Sequence, residues 1–212
     1  MKLNKAILVS AVVISGIFVL HGVCSSVMFG NMKGSGKKVT KAQLISTKAA
    51  ATFFQAAAAA FEMFSTIELN ALSPNPSFDD ITKHAENSLY LLNEALTQFE
   101  LITKMEDELK VITDDMSKQK DYNLIFDEAV VPFDNGVIKV ASEKGASGLL
   151  EMCIKSIKEL SSPELPMGKV YRAVRQKNFP EAQTLWAANA QWERAFQIGR
   201  ITSSFFTIRE KE

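Results

Sequence analysis

Residues 77–99 read SFDDITKHAENSLYLLNEALTQF, and this stretch decides the fold class. Apolar side chains recur along it at spacings of three and four residues, the period that places them on one face of an α-helix. Ser77 and Asp80 form a capping pair at its start, where side-chain oxygens satisfy free backbone N–H groups. The stretch therefore predicts an amphipathic helix, whose buried stripe consists of Ile81, Ala85, Leu89, Leu92, Leu96 and Phe99.

The segment before it, from Thr40 to about Leu72, predicts another long helix. Thr40 and Gln43 form a second capping pair, and alanines, the strongest helix formers, fill residues 49–51 and 56–60. The sequence SPNP at residues 73–76 ends this helix. A membrane span is the alternative, but the uncharged stretch 49–61 is shorter than the roughly 20 residues that a span requires. We therefore expect a core helix that packs antiparallel to its successor.

The apolar pattern weakens after Met105, and we expect a turn or kink around residues 113–120. Residues 122–131 predict a helix, although the β-branched Val130 and Val131 leave a short strand open. A further helix is expected over residues 137–160, weakened by about 1 kcal/mol at each of its two glycines, 145 and 148. Cys153 lies in its apolar stripe and is interpreted as a structural core residue. Pro163 and Pro166 are expected to close the segment.

The C-terminal region predicts a pair of helices. Residues 170–177 have a helical pattern, Asn178-Phe179-Pro180 forms a tight junction, and a last helix is expected from Glu181 almost to the end. Ala173, Phe179, Ala182 and Trp186 resemble the helix-turn-helix of one tetratricopeptide repeat, over Lys169 to Ala195. This resemblance implies a local helical hairpin with a concave surface for a protein partner.

Apolar residues occupy much of the circumference of the last helix, which indicates either a central helix or an interface. The arginines near its tryptophans are interpreted either as stacking on the tryptophan rings or as solvated residues at the edge of the helix. We therefore interpret this helix as a candidate partner surface, formed by Trp186, Trp192, Arg194 and Phe196.

The first 25 residues predict an export segment, because Lys2 and Lys5 precede a long apolar run. Cleavage after Ser25 would leave a spacer at residues 26–39 and a helical domain at residues 40–208. The alternative is a retained membrane anchor within residues 6–30, since this stretch contains no formally charged residue. Lipid attachment at Cys24 is a further alternative. In each case the protein is expected to be exported, to the periplasm or the extracellular space.

Composition and motifs exclude several functional classes. The 24 basic and 24 acidic side chains balance, so we expect no nucleic-acid partner. His84 is the only histidine after the export segment, and it cannot supply the paired histidines of di-metal or zinc sites. No phosphate-binding glycine loop and no nucleophile elbow occurs in the sequence. His84 is therefore interpreted as a residue at the edge of a helix stripe, and an enzyme is not expected.

These observations predict an all-α protein, a single helical bundle of about four to six helices with a C-terminal helical hairpin. We expect a non-catalytic protein that binds another envelope protein and has no cofactor. The alternative is a bundle that holds a small apolar ligand, lipid-like in preference to haem, in a pocket formed by Phe54, Phe61, Met63 and His84. Haem would need an axial methionine to pair with His84, such as Met63, Met105 or Met152.

Overall fold

The computed structural model describes residues 40–73, 78–118, 135–189, 191–192 and 195. Six helices, and no strand, occur within these residues, so the predicted all-α fold is confirmed. In chain order they are α1 (Lys41–Ala71), α2 (Asp79–Ile102), α3 (Glu106–Lys118), α4 (Asn135–Ser161), α5 (Pro166–Arg175) and α6 (Phe179–Ala187).

Helix α1 begins with the predicted capping box. The backbone N–H of Gln43 donates to Oγ1 of Thr40 at 3.2 Å, and the N–H of Thr40 donates to Oε1 of Gln43 at 3.0 Å. A third partner comes from α3, where Oε2 of Glu108 accepts the N–H of Ala42 at 2.6 Å. The hydrogen bonding at the start of α1 thus includes a residue from another helix, and no local sequence pattern predicts this contact.

Helices α1 and α2 pack antiparallel along their lengths. The contact between Glu62 and His84 and the contact between Ala56 and Ser88 fix this direction, since the α2 residue number rises as the α1 number falls. Seven alanines of α1 are buried, and such small side chains let neighbouring helices approach closely. Long apolar side chains such as Phe53, Met63 and Leu92 fill the remaining core.

The start of α2 differs from the prediction. The helix begins at Asp79 with Phe78 in the N-cap position and without a side-chain cap, while Ser77 lies outside the described residues. Asp79 and Asp80 occupy the first turn, where negative charge interacts favourably with the helix dipole. The Phe78 ring stacks on Phe179 at the start of α6, with centroids 4.5 Å apart. The N-cap residue of α2 therefore makes a tertiary contact with α6 and no side-chain cap hydrogen bond.

The expected turn or kink around residues 113–120 is wrong for residues 113–118, and residues 119 and 120 lie outside the described part of the chain. Helix α3 runs continuously from Glu106 to Lys118, and the break in the chain comes earlier, at residues 103–105. Two buried residues, Leu109 and Ile112, attach α3 to the core. Charged residues surround these two positions in the sequence, so the apolar period is weak, which explains the error.

Helix α4 is interrupted at Gly145, where φ is 60° and ψ is −149°. A hydroxyl from α3 restarts the helix, because Oγ1 of Thr113 accepts the N–H of Ala146 at 3.1 Å. The single helix predicted over residues 137–160 is therefore interrupted at Gly145, one of the two glycines that the sequence analysis singled out. Cys153 is 3% exposed, in agreement with its interpretation as a core residue.

Helices α5 and α6 pack on each other as a short hairpin. Pro166 begins α5, although the sequence analysis expected it to close the preceding segment. The side chain of Asn178 caps α6 by accepting the N–H of Glu181. Helix α6 ends at Ala187, so the expectation of one helix from Glu181 almost to the end is wrong. The relation of this hairpin to a tetratricopeptide repeat stays a prediction.

Some sequence predictions concern residues outside the described part of the chain. They are the export or anchor segment at residues 1–25, the spacer at residues 26–39, the helix or strand at residues 122–131, and the end of the domain after residue 195. Among the helices that the structure does describe, none combines the length and the apolar character that crossing a bilayer demands.

Candidate functional site

Aromatic side chains concentrate where α1 meets the C-terminal region. Helix α1 contributes four phenylalanines, α6 contributes one tryptophan, and the residues after α6 contribute another. We call this group the aromatic cluster; its members are Phe53, Phe54, Phe61, Phe64, Trp186 and Trp192.

Trp186 is fixed by two phenylalanines of α1. Its ring stacks on Phe64 with centroids 4.9 Å apart and an interplanar angle of 13°. Phe61 meets it edge to face, at 5.3 Å and 85°. Both geometries are the ones that aromatic quadrupoles favour. Trp186 is only partly buried, so it presents a rigid aromatic surface to solvent.

Trp192 has a different environment, because only 4% of its surface is exposed. Its ring lies 5.9 Å from Phe53 and 6.5 Å from Phe61, measured between centroids. The indole Nε1–H donates to the sulfur of Met167, which is itself fully buried, at 3.2 Å. Trp192 therefore attaches the C-terminal region to α1 and α5, and a partner would not reach its ring in this conformation.

The N-terminus of α5 provides the other half of this attachment. The backbone N–H of Met167 donates to Oε1 of Gln191 at 2.9 Å, which satisfies one of the free N–H groups of the first helical turn. The side chain of Asn189 donates to the Met167 sulfur at 3.5 Å. Sequence reasoning missed these residues, since a buried methionine that accepts hydrogen bonds looks like ordinary core.

The four residues of the predicted partner surface are thus separated by the structure. Trp186 is accessible and Trp192 is buried, whereas Arg194 and Phe196 lie outside the described residues. The turn at Ala188 and Asn189 accounts for the difference between the two tryptophans, because it ends α6 and redirects the chain towards Met167. In an uninterrupted helix, the angle between the two tryptophan side chains around the helix axis would be fixed by the six residues that separate their positions.

The predicted apolar pocket is not gathered at one point. Phe54 and Phe61 are seven residues apart on one face of α1, and Phe61 contacts the tryptophans. Met63 is two residues further on, a rotation of about 200° around the helix axis, and is completely buried. His84 belongs to α2 and turns towards Glu62. These residues line different sides of α1.

His84 forms a contact between α1 and α2. Its Nδ1 lies 3.2 Å from Oε2 of Glu62, and the two side chains are 31% and 62% exposed. Water reaches both groups, so this contact does not shelter a reacting atom. Within the described residues, no group of three histidine, cysteine or acidic side chains lies close enough together to hold a metal ion.

The polar contact beside Trp186 fixes α6 on α1. The amide of Gln183 donates to Oε1 of Glu68, and Gln183 precedes Trp186 by one helical turn. Together with the two phenylalanine contacts, it holds this surface in one position. The sequence gives a weak indication of this arrangement through Phe54, Phe61 and Phe64, which recur on one side of α1.

The chain matches no protein-family model and no curated protein, and its fold matches no solved structure.

Proposed function

We propose that this protein is an exported, non-catalytic helical module of the cell envelope, which binds another envelope protein through the exposed side of Trp186. The observation that carries this proposal is the state of the Trp186 ring, which is partly open to solvent yet held by Phe61 and Phe64. Such a ring loses little conformational entropy when a partner covers it.

Tryptophan is well suited to this role. It is among the residues that contribute most to binding at protein interfaces, usually from the centre of the contact. Ala187 and Ala188, which follow Trp186, are exposed and carry small side chains, so a partner can approach the ring closely. The hydrogen bond between Gln183 and Glu68 keeps the helix beneath it in place. These features support a pre-formed binding surface.

The non-catalytic part of the proposal rests on the available side chains. His84 is the only histidine in residues 26–212, and its contact with Glu62 is open to water. General acid–base catalysis near neutral pH usually needs a histidine or a carboxyl group in a sheltered position. An activity that falls in the His84→Ala variant would contradict this part of the proposal.

The location in the envelope rests on residues 1–25. Two lysines followed by an apolar run are the pattern of an export signal, with a retained anchor as its alternative. Fractionation of expressing cells, with the mass of the intact chain, tests this part. Recovery of the unprocessed chain in the cytoplasm would contradict it, whereas cleavage near Ser25 or retention in the membrane fraction would support one of its two forms.

Partner binding is tested by capturing the protein, after cross-linking in its own cells, and identifying what comes with it. Trp186→Ala and Ala187→Arg should each lower the yield of the partner at least tenfold, roughly the loss expected of an important interface residue. Ala187→Arg changes only an exposed position. Val111→Arg is the matched control, since Val111 is 53% exposed on α3, and it should capture normally.

Circular dichroism of each purified variant shows whether the fold survives the substitution. If folded Trp186→Ala and Ala187→Arg variants capture the same partner as the unmodified protein, the binding surface lies elsewhere.

A further inference from the structure

The outer face of α1, opposite its buried alanines, carries a regular series of residues. Their spacings alternate between three and four over the length of this 31-residue helix, so they stay on one side of it. We call this series the outer stripe. Its members are Lys41, Leu44, Lys48, Ala51, Gln55, Ala58, Glu62, Ser65 and Leu69.

The outer stripe is open to solvent in the folded chain. Leu44 is 50% exposed and Leu69 is 69% exposed, although both are large apolar residues. Ala58 and Ser65 are partly buried, and the other members are exposed. The two leucines lie near the ends of the stripe, and small or polar residues lie between them.

The charges of the outer stripe are divided between its two ends. Lys41 and Lys48 lie in the N-terminal half, and Glu62 lies in the C-terminal half. A second copy of α1 laid parallel would place like charges side by side. An antiparallel copy places the half of each helix that carries Lys41 and Lys48 beside the half of the other helix that carries Glu62. It also aligns the two helix dipoles favourably.

One antiparallel register satisfies the apolar and the charged residues together. When Leu44 faces Leu69 of the second copy, the repeat also sets Gln55 opposite Ala58. Lys48 then lies within one helical turn of Glu62 of the second copy. Two-fold symmetry produces each of these contacts twice. The agreement between the leucine pairs and the charge pairs in one register is the basis of the inference.

The centre of this arrangement suits a close approach of two helices. Ala51 and Ala58 flank Gln55, and their small side chains allow backbones to come near each other.

We propose that the protein forms a two-fold symmetric dimer through the outer stripe of α1, with the two α1 helices antiparallel. The occupant of this surface is a second copy of the same chain. Glu62 contributes to the dimer while it contacts His84, because a carboxylate accepts more than one hydrogen bond. This inference does not depend on the proposed partner surface at Trp186, which lies on another side of α1.

Sedimentation velocity of the full chain, over a range of micromolar concentrations, measures the dimer directly. Lys48→Glu and Glu62→Lys each replace two attractions with two repulsions, so each should raise the dissociation constant about tenfold. The double variant Lys48→Glu/Glu62→Lys restores opposite charges and should regain most of the affinity. Lys110→Glu, at an exposed position of α3, is the matched control and should not change it.

A further variant separates dimerisation from folding. Leu69→Ser alters a residue that is already 69% exposed, so the monomer should fold normally while its dimer weakens. A protein that stays monomeric over the whole concentration range would overturn the proposal. A dimer that is insensitive to Leu69→Ser and to both single charge reversals would overturn it as well, because its contact would lie on another face.

Discussion

The hydroxyl oxygen of Ser88 lies 2.8 Å from the phenolic oxygen of Tyr171, 83 residues further along the chain, and both side chains are buried. Ser88 gives its only hydroxyl hydrogen to the carbonyl oxygen of Ala56, at 2.7 Å. Tyr171 must therefore be the donor in the contact with Ser88. This short series of hydrogen bonds joins α1, α2 and α5 inside a largely apolar core.

Removing the acceptor should cost more than removing the donor. Ser88→Ala leaves the Tyr171 hydroxyl buried without a partner, which we expect to lower the free energy of unfolding by about 1–3 kcal/mol. Tyr171→Phe leaves the bond from Ser88 to Ala56 intact and should cost about 1 kcal/mol. Urea unfolding followed by circular dichroism measures both. An equal loss in the two variants would show that Tyr171 is not the donor.

Stability should decrease at high pH because of the same tyrosine. Burial raises the pKa of Tyr171 well above its ordinary value, and the hydrogen bond with Ser88 offsets this only in part. The unfolded chain releases this proton above about pH 10, while the folded chain keeps it. The stabilising contribution is complete below pH 10 and is lost as the pH rises towards the native pKa. Thermal unfolding between pH 9 and pH 12 should show a smaller decrease in Tyr171→Phe.

Substitution of Gly145 should destabilise α4. Its φ and ψ of 60° and −149° suit glycine almost alone, and a Cβ atom there would lie 2.4 Å from Cγ2 of Thr113. We expect Gly145→Ala to cost roughly 2–4 kcal/mol from the backbone strain and the clash together. Ser147→Ala, an exposed position two residues later, is the control for chemical denaturation. A loss below 1 kcal/mol would mean that the break in α4 adapts easily.

Glu108 should stabilise α1 through its contact with Ala42. Glu108→Ala removes an acceptor at the positive end of the helix dipole, and we expect a loss of about 1 kcal/mol. Glu108→Gln keeps an acceptor and should lose less. Asp107→Ala, which changes an exposed neighbour, is the control for thermal unfolding. If Glu108→Ala unfolds at the same temperature as this control, the contact adds nothing to stability.

Gln98 offers a position where a substitution should stabilise the protein. Within the described residues its Oε1 is buried without a hydrogen-bond partner, and its amide nitrogen makes one long contact, 3.3 Å, with Glu94. An unsatisfied buried acceptor costs about 1–3 kcal/mol. Gln98→Met fills a similar volume without this cost, so we expect a gain of about 1 kcal/mol in urea unfolding. A destabilised Gln98→Met variant would indicate that a bound water satisfies the amide.

Local patterns predicted the parts of the fold that depend on neighbouring residues. The capping box of Thr40 and Gln43 needs no distant partner, so the sequence is sufficient for it. Four of the six predicted stripe residues of α2 are buried, whereas Leu89 and Leu96 are only partly buried. Helix α3 was missed because charged residues dominate its sequence, although Leu109 and Ile112 pack into the core. Its stability depends on the surface it packs against, which periodicity does not reveal.

The candidate site was harder to predict for the same reason. Trp186 and Trp192 look alike in the sequence, and both were assigned to a surface. Their environments differ because the chain turns after Ala187 and because Met167 accepts the indole N–H of Trp192. Neither the turn nor the acceptor is encoded near the tryptophans in a recognisable motif. Burial of a large aromatic residue is decided by the partner helix, and here that helix is α1.

The contact between Glu108 and Ala42 also has a consequence for the order of events during synthesis. Helix α1 is synthesised before Glu108, and Phe179, whose ring stacks on Phe78, is synthesised later still. A nascent chain that ends before residue 108 therefore lacks contacts at both ends of the α1–α2 hairpin. Such an incomplete hairpin is more easily kept unfolded by a chaperone than the finished protein.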